Sequence, residues 1–343
     1  MSDFNIYQYI RIDDQSITPK YLQLSNAIIE AISNRTLTKD YLLPSINDLS
    51  YELDVSRDTA EKAYRHLKQL GIIGSVPGKG YYITKTDYQQ RIKILLLFNK
   101  LSAHKKLIYD AFAAMLGENV VIDFYIYNND FTLFKKLIEQ KKDGYTHYVI
   151  IPHFLEGGEE VASLLDQLKS GKLIILDKQV PGVKQEHSAI YENFAGDIYK
   201  ALHQLLDRLS KYQTLKIIFP SYTYFPNEIL QGFQRFCTDF AFNYKTISVI
   251  EEEEIEKGAV YINLMEDDLV VLLGKIKQTS MIVGKDVGII SYNETPWKEF
   301  ILNGITTIST DFKAMGEMAA AMVLAEENHS AEVPFHVRER ESL

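Results

Sequence analysis

The sequence predicts two domains of different class: a small α+β domain of three helices and a β-hairpin, followed by a two-lobed α/β domain with parallel sheets. Two patterns support this prediction. Before residue 85, apolar residues recur at helical spacing in three segments. After residue 91, apolar strand-like runs alternate with amphipathic helices, a pattern that favours parallel sheets covered by helices. We therefore expect a first domain at residues 1–85, a linker at 86–91 and a second domain at 92–343.

The composition is that of a globular protein without membrane segments. The 343 residues are 46% hydrophobic and 24% charged, and they contain no apolar run long enough to cross a bilayer. The acidic start, MSDFNIYQYIRIDD, is unlike a signal peptide, so we expect a cytoplasmic protein. Cys237 is the only cysteine, and neither it nor the histidines His104, His147 and His187 show a metal-binding spacing. We expect no metal and no cofactor.

Three helices are predicted in the first domain. The first covers about residues 20–34 and follows Pro19, a residue tolerated at a helix start. The second follows Pro44, with Ser45 as N-cap and Asp48 three residues later as a loose capping box. The third begins after the N-cap Ser56 and ends at Gly71. A hairpin with a Pro-Gly-Lys-Gly turn follows, and this order of elements is that of a winged helix-turn-helix.

The net charge of −9 argues at first sight against DNA binding, but the charge is unevenly distributed. Residues 1–88 carry 10 Lys and Arg against 11 Asp and Glu, so most of the negative charge lies in the second domain. Within residues 57–85 the cations outnumber the acids, which favours phosphate contacts that weaken with salt. These cations are Arg57, Lys62, Arg65, Lys68, Lys79 and Lys85.

Three sequence motifs of the first domain resemble those of a known family. PKYLQLSNAIIEAI, LLPSINDLS and DVSRDTAEKAYRHLKQLGIIGSVPGKGYYIT together resemble the DNA-binding domain of GntR-family transcription factors, over about residues 18–85. The resemblance implies that the start of the third helix enters the major groove and that the hairpin tip lies at the minor groove. With the basic patch, the expected DNA-binding residues are Ser45, Asn47, Ser56, Arg57, Asp58, Thr59, Lys62, Arg65, Gly78, Lys79 and Gly80.

Two positions depart from what this role requires. The family commonly has Glu-Arg where this chain has Ile46-Asn47, and Asn47 can bond to a base edge or a phosphate but lacks the charge. Asp58 is acidic near a phosphate surface, which costs free energy unless it accepts from a cytosine amine or pairs with Arg57. In isolation, a Ser-Arg-Asp-Thr helix start is more often a plain cap, so the prediction depends on the ordered combination of motifs.

The second domain is predicted to form two α/β lobes joined by three crossings of the chain. Strands are expected at residues 93–99, 120–127, 147–152 and 172–177, and again at 215–220, 259–264 and 287–293, with helices between them. We expect crossings near residues 190, 308 and 332. Lobe one then comprises about 92–190 and 309–332, and lobe two comprises about 191–308 and 333–343. Ligands of such folds bind at the carboxyl ends of the strands.

A second resemblance covers about residues 91–343. AIYENFAGDIYKALHQLL and GITTISTDFKAMGEM, with Arg-Glu-Arg-Glu-Ser near the end, resemble the effector domain of LacI/GalR-type repressors, a periplasmic-binding-protein-like fold. The combination with a GntR head is similar to the architecture of bacterial arabinose repressors. Two departures concern the ligand: Asn293 replaces a usual aspartate, and Ile229 stands where a ligand-binding arginine is usual.

Residues at the strand ends are the candidates for the effector site. They are Phe98, Asn99, His104, Asp177, Lys178, Tyr224, Asn227, Glu228, Asn263, Asn293 and Glu294. Carboxylates, amides and aromatic rings suit a sugar, whereas a phosphorylated effector would require more cations. Structural roles are the alternatives, with Asp177 as a turn cap and Asn293 as a tight-turn residue. The acidic run EEEEIE, residues 251–256, is expected to be a solvated loop.

These features predict a sequence-specific DNA-binding transcription regulator, with a repressor as the more common arrangement. A homodimer would bind a palindromic double-stranded operator, and a monosaccharide, either a pentose or a deoxyhexose such as fucose, would close the lobes and change operator affinity. One alternative is a DNA-binding head on an enzyme-like or non-sugar-sensing body. We find no pyridoxal-binding lysine motif and no GxGxxG after the first strand, so we expect no enzyme. A pure solute-binding protein would lack the DNA-binding head.

Overall fold

The computed structural model describes residues 5–86, 92–117, 120–221, 223 and 225–343. The N-terminal part, called the head below, contains three helices and a two-stranded antiparallel hairpin. Its elements are α1 (Lys20–Ser33), α2 (Ile46–Glu52), α3 (Arg57–Gln69), β1 (Ile73–Val76) and β2 (Gly80–Ile83). The apolar faces of the three helices meet the hairpin in one core, which includes Leu24, Leu49, Leu67 and Ile83. This packing fixes α3 against α1 and α2 and leaves its polar face outside.

Local chemistry explains where the head helices begin and end. Ser45 caps α2 in a reciprocal capping box, since its side chain accepts from the Asp48 amide and the Asp48 carboxylate accepts from the Ser45 amide. The Ser56 hydroxyl accepts from the Thr59 amide at the start of α3. Gly71, just beyond α3, has φ +71°, a left-handed conformation that glycine adopts without a steric cost.

Lobe one is a six-stranded parallel sheet covered by helices on both faces. The strand order is β13-β7-β6-β5-β3-β4, so β4 is an edge strand. Two separate apolar cores lie on its two faces. The elements are β3 (Ile92–Phe98), α4 (Ala103–Leu116), β4 (Val120–Ile126), α5 (Phe131–Lys141), β5 (His147–Ile150), α6 (Val161–Leu165), β6 (Lys172–Asp177), β7 (His187–Tyr191), α11 (Phe312–Leu324) and β13 (Ser330–Glu332).

Lobe two repeats this architecture. Its strand order is β14-β12-β11-β10-β8-β9, with only the pairing of β12 and β14 antiparallel. The elements are α7 (Phe194–Gln204), α8 (Leu206–Leu209), β8 (Thr214–Ile218), α9 (Glu228–Asp239), β9 (Asn243–Ile247), β10 (Ala259–Asn263), α10 (Glu266–Lys277), β11 (Gly288–Tyr292), β12 (Thr306–Thr310) and β14 (Phe335–Arg338). The chain passes between the two sheets after β7, after β12 and after β13. Within the described residues, no helix is long and apolar enough to span a membrane.

The structure corrects several details of the sequence prediction. The helix expected near residues 159–168 is shorter, and the one expected at 195–209 is divided at Leu205. Strand β9 was not predicted, because most of its residues are exposed at a sheet edge and form no apolar run. The run 251–256 is not simply a solvated loop: Glu253 is buried and accepts from Lys216 and Lys245, at 2.7 and 2.5 Å. The positive charges of Lys216 and Lys245 balance the charge of this carboxylate.

Candidate DNA-binding surface and ligand cleft

The first turn of α3 presents one exposed arginine to solvent. Arg57 is exposed and makes no hydrogen bond or ion pair with the residues that the structure describes. The other cations of this helix are partly neutralised, since Lys62 pairs with Asp58 at 2.7 Å and Arg65 pairs with Glu61 at 2.9 Å. The alternative that Asp58 pairs with Arg57 is therefore wrong. Arg57 keeps its five N–H donors available for a guanine or a phosphate.

The neighbouring hydroxyl groups serve mainly as helix caps. The Ser56 hydroxyl lies 2.8 Å from the Thr59 hydroxyl, and the Ser45 hydroxyl donates to Asp48 at 2.7 Å. Asn47, in the first turn of α2, is exposed. The starts of α2 and α3 consequently offer an amide, a guanidinium and unpaired backbone N–H groups, which favour anions.

The hairpin tip carries a cation between two glycines. Gly78 and Gly80 have φ values of +78° and +93°, and the Lys79 amide donates to the Val76 carbonyl at 3.0 Å. Lys79 is exposed at the end of this tight turn. Because neither flanking residue has a side chain, Lys79 can approach a phosphate backbone closely.

A cavity lies between the lobes, at the carboxyl ends of β3, β6 and β11. Its lining combines amides, charged groups and four aromatic rings. The lining residues are Asn99, Lys100, Ser102, His104, Lys105, His153, Asp177, Glu192, Phe194, Phe225, Pro226, Tyr292, Asn293 and Phe312. His104 of lobe one bridges the cleft, since its Nε2 lies 3.1 Å from the Glu294 carbonyl oxygen of lobe two. Burial lowers the pKa of His104, which keeps this imidazole neutral near pH 7.

The floor of the cavity is formed by buried side chains of opposite charge that pair with one another. The Asp177 carboxylate is paired with the Lys105 ammonium and lies 3.1 Å from His153 Nε2. Burial alone would raise the pKa of Asp177, but the charge of Lys105, together with His153, holds it well below its usual range. Asp177 also has φ +75°, a backbone conformation that costs free energy for a residue other than glycine.

A second carboxyl group lies beside Asp177 at the first crossing between the lobes. The Glu192 amide donates to the Asp177 carbonyl at 3.0 Å, and the Glu192 side chain is 8% exposed. Burial, followed by the negative charge of Asp177, raises the pKa of Glu192 well above its ordinary value. The raised pKa favours the protonated carboxyl group, which can donate a hydrogen bond.

Three buried polar atoms of the cavity lining have no hydrogen-bond partner among the described residues. They are Asn99 Oδ1, the Tyr292 hydroxyl and Asn293 Oδ1. Asn293 has φ +65°, and Lys298, which is fully buried, donates to its carbonyl at 2.6 Å and so fixes this turn. Unpaired buried polar atoms cost free energy, so this arrangement favours a ligand that supplies hydrogen-bonding groups.

Comparison with known proteins identifies the family to which the chain belongs. The model of the "Bacterial regulatory proteins, gntR family" matches residues 20–83. The HTH-type transcriptional repressor YtrA of Bacillus subtilis (strain 168) is 31% identical over 104 residues, which are 30% of this chain and 78% of YtrA. The chain belongs to the GntR family of bacterial regulatory proteins. This membership places it among transcription regulators.

A second relative matches a shorter part of this GntR-family chain. The uncharacterized HTH-type transcriptional regulator YhdI of Bacillus subtilis (strain 168) is 38% identical over 76 residues. Those residues are 22% of this chain, and the chain spans only 16% of the length of YhdI.

The second domain has the fold of LacI-family regulators. The crystal structure of a LacI family transcriptional regulator from Enterococcus faecium, with bound ribose, aligns over 73% of this chain and 98% of that chain. The TM-score is 0.59 and the sequence identity is 17%, a level that establishes the fold alone.

The structure brings together only some of the predicted effector residues of this GntR-family chain. Asn99, His104, Asp177 and Asn293 line the cavity. Phe98 lies in the core of lobe one, and Lys178 lines a different cavity, beside Phe154 and Pro181. Asn227 and Glu228 are exposed at the start of α9, outside the cavity lining. The fully buried Asn263 donates to the Met265 carbonyl, and Glu294 pairs with Arg340 at 2.9 Å. Tyr224 lies outside the described residues.

Sequence reasoning missed several lining residues. Lys105 lies six residues and His153 one residue after the predicted strand ends at 99 and 152, and the direction of their side chains could not be read from the strand pattern. Glu192 occupies the first crossing, which we located but did not examine for ligand groups. A signal was present, since an acidic residue at the end of an apolar strand is rarely buried without a role.

Proposed function

We propose that the chain is a ligand-controlled repressor that binds double-stranded operator DNA through the head and a neutral monosaccharide between the lobes. A pentose or a deoxyhexose such as fucose fits this proposal. The ligand alters the position of the lobes, and the lobes set the operator affinity of a homodimer in the cytoplasm. The division into a head at 1–85, a linker at 86–91 and two lobes within 92–343 is part of the proposal.

The main support for the ligand proposal is the set of polar atoms in the cavity that have no hydrogen-bond partner among the described residues. Asn99 Oδ1, Asn293 Oδ1 and the Tyr292 hydroxyl can accept from, or bond to, sugar hydroxyl groups. Phe225 and Phe312 also line the cavity, and aromatic rings pack well on the apolar C–H faces of a sugar ring. The ribose bound to the Enterococcus faecium regulator, which shares the fold, supports the same class of ligand.

The charges of the cavity favour a neutral sugar over a sugar phosphate. Lys105 is already paired with Asp177, and the raised pKa of Glu192 favours its uncharged form. A dianionic phosphate that paired with Lys105 would displace Asp177 from a buried ion pair and leave an uncompensated buried carboxylate, so Lys100 would be the remaining lysine of the lining to pair with it. We therefore infer that phosphorylated sugars bind much more weakly than the neutral forms.

The DNA proposal rests on the exposed Arg57 at the start of α3 and on the cationic hairpin tip. The expected contacts are those named from the sequence, with Arg57 as the main reader of bases and Lys79 as a phosphate contact. The name of YtrA, a repressor, supports repression over activation. A homodimer would place two heads on half-sites separated by a helical turn of DNA or a multiple of it.

An exposed apolar surface on lobe two supports the homodimer. Phe300, between two short 3-10 helices after β11, is 80% exposed, and Leu302, in the second of these helices, is 46% exposed. Leu302 also has φ +52°, which costs free energy for a leucine. Large apolar side chains held in this way are typical of surfaces that are covered in the assembly. We propose that Phe300 lies in the dimer interface.

A thermal-shift screen of the purified protein tests the ligand proposal. Neutral monosaccharides and their phosphates are compared, because a ligand that binds only the folded state raises the unfolding midpoint. We expect a midpoint increase with one neutral sugar and none with its phosphate. Asn99→Ala should remove the increase, whereas the matched control Asn227→Ala, outside the cavity, should retain it. An increase that survives Asn99→Ala would place the ligand elsewhere, and no response to any sugar would contradict the proposed ligand class.

A further inference from the structure

The segment before α1 lies along the exposed edge of the lobe-one sheet. The Ile17 amide donates to the Phe124 carbonyl of edge strand β4 at 2.7 Å. The Thr18 hydroxyl donates to the Ile122 carbonyl at 2.9 Å and accepts from the Phe124 amide at 3.0 Å. Thr18 is 6% exposed. These bonds satisfy backbone groups that an edge strand would otherwise leave open.

An ionic contact strengthens this docking at one end of the segment. The Asp13 carboxylate accepts from the Tyr125 hydroxyl at 2.8 Å and from the Lys141 ammonium at 2.9 Å. Lys141 lies on α5 and Tyr125 on β4, so Asp13 joins the segment to two elements of lobe one. Burial alone would raise the pKa of Asp13, but the bonds from Lys141 and Tyr125 outweigh it and hold this pKa below the ordinary value.

The same segment is fixed to the head. Gln23 of α1, which is buried, accepts from the Asp13 amide at 2.8 Å. Its amide group also donates to the Thr18 carbonyl at 2.8 Å. One buried side chain therefore holds both ends of residues 13–18 against the helix that supports α3. A separate pair, Lys93 and Glu30 at 3.4 Å, joins lobe one to α1 directly.

We propose that residues 13–18, the docking segment, join the head and lobe one into one rigid body that presents α3 to the operator in a fixed orientation. This inference rests on the proposed function for its consequence but not for the contact itself. Strand β4 pairs with β3, whose end leads directly into Asn99 of the cavity. A shift of lobe one on ligand binding is then carried to the head without a flexible connection.

The docking should matter most when two heads bind together. A palindromic operator requires both heads at a fixed spacing, and preorganised heads lose less conformational freedom on binding. A single half-site imposes no such requirement. Loosening the docking segment should therefore weaken binding to the complete operator while leaving binding to a half-site unchanged.

The test uses the full chain with Asp13→Ala and Thr18→Val combined. Thr18→Val preserves shape while removing the hydroxyl that pairs with β4. The matched control is Asp239→Ala on lobe two, because Asp239 likewise accepts from a tyrosine, Tyr199 at 2.9 Å, and pairs with Arg235 at 3.7 Å. Amide hydrogen exchange and DNA affinity are measured for all three proteins, on a duplex with two half-sites and on one with a single half-site.

We expect faster exchange at the Ile17 and Phe124 amides in the double variant, with the β3 and β5 amides unchanged. Affinity for the two-site duplex should fall about tenfold, with single-site affinity and the control unaffected. Unchanged exchange at both amides would overturn the docking. An equal loss on both duplexes would also overturn the proposal, because it would locate the defect in the head. If the unsubstituted protein bound no duplex, the proposed function would fail, while hydrogen exchange would still decide the docking.

Discussion

Lys105 on α4 and Asp177 at the end of β6 form an ion pair whose side chains are only 8% and 7% exposed. The pair joins the first helix of lobe one to the floor of the ligand cavity, with His153 as a second partner of the carboxylate. Burying two charges is costly, and their mutual attraction offsets that cost only while both partners are present. The cavity floor is therefore set by an interaction between residues that are 72 positions apart.

Removing one partner of this pair should strongly destabilise the protein. Lys105→Met leaves the Asp177 carboxylate buried without its main counter-charge, and we expect the free energy of unfolding to fall by about 3 kcal/mol. The adjacent Lys106→Met is a matched control, because Lys106 forms a solvent-exposed pair with Asp110. That variant should lose less than about 1 kcal/mol. Urea unfolding of both variants measures the difference, and equal losses would show that burial does not control the contribution of this pair.

Replacing Glu192 should stabilise the protein at neutral pH. The unfolded chain releases this proton around the ordinary carboxyl pKa of 4.5, whereas the folded protein retains it to higher pH. Folding then takes up a proton above pH 4.5, so the contribution of this residue to stability decreases as pH rises. Glu192→Gln removes that uptake and should raise the free energy of unfolding at pH 7 by about 1 kcal/mol.

The pH dependence of the Glu192 variant provides the control. Urea unfolding between pH 5 and pH 7 should show a shallower decline in stability for Glu192→Gln than for the unsubstituted protein. Glu294→Gln should leave the slope between pH 5 and pH 7 nearly unchanged and alter the profile only below about pH 5, since bonds from Arg340 and Thr307 outweigh burial and lower the pKa of Glu294. A Glu192→Gln protein with an unchanged pH profile would mean that Glu192 is ionised in the folded state.

Arg57→Ala should remove specific operator binding and leave ligand binding intact. The loss of one bidentate base contact costs about 1–3 kcal/mol of discrimination between sequences. Arg235→Ala, which replaces another exposed arginine, on lobe two, is the control. Fluorescence anisotropy measures the affinity of each variant for the operator duplex and for a scrambled duplex. Undiminished discrimination in the Arg57 variant would show that α3 does not read the bases.

Phe300→Asp should weaken the proposed dimer. A charged group in an apolar interface must be desolvated, so we expect the dimer dissociation constant to rise at least about tenfold, or by about 1.4 kcal/mol. Leu155→Asp is the control, because Leu155 is also exposed but lies on lobe one. Sedimentation analysis over a range of concentrations gives the constants. Two variants that dissociate like the unsubstituted protein would place the interface on another surface.

Local patterns explain what could be predicted from the sequence. The capping box of Ser45 and Asp48 and the left-handed Gly71 depend on residues within a few positions of one another, so they were readable in advance. Seven of the parallel strands were equally clear, because their apolar runs are continuous, whereas the parallel strands β7 and β12, which contain polar residues, were not predicted. The edge strand β9 was missed because its surroundings are mostly solvent, which leaves no apolar pattern.

The candidate site was only partly predictable, because its partners meet through the tertiary fold. Asp177 and Asn293 were identified as strand ends, but nothing in the sequence pairs Asp177 with Lys105 or places Glu192 beside it. Glu294 follows a strand end as well, but its carboxylate forms an ion pair with Arg340 near the C-terminus. A strand end identifies the right edge of a sheet, whereas the direction and the partner of each side chain depend on distant residues.

The most direct test of the account is the operator affinity of the full chain with and without the neutral sugar that raises its unfolding midpoint. A duplex selected by the protein from a random pool supplies the operator. We predict that the sugar weakens operator binding at least about tenfold, which corresponds to about 1.4 kcal/mol of coupling free energy, and that Asn99→Ala binds the operator but no longer responds to the sugar. Operator affinity that stays the same while the sugar occupies the protein would contradict the account.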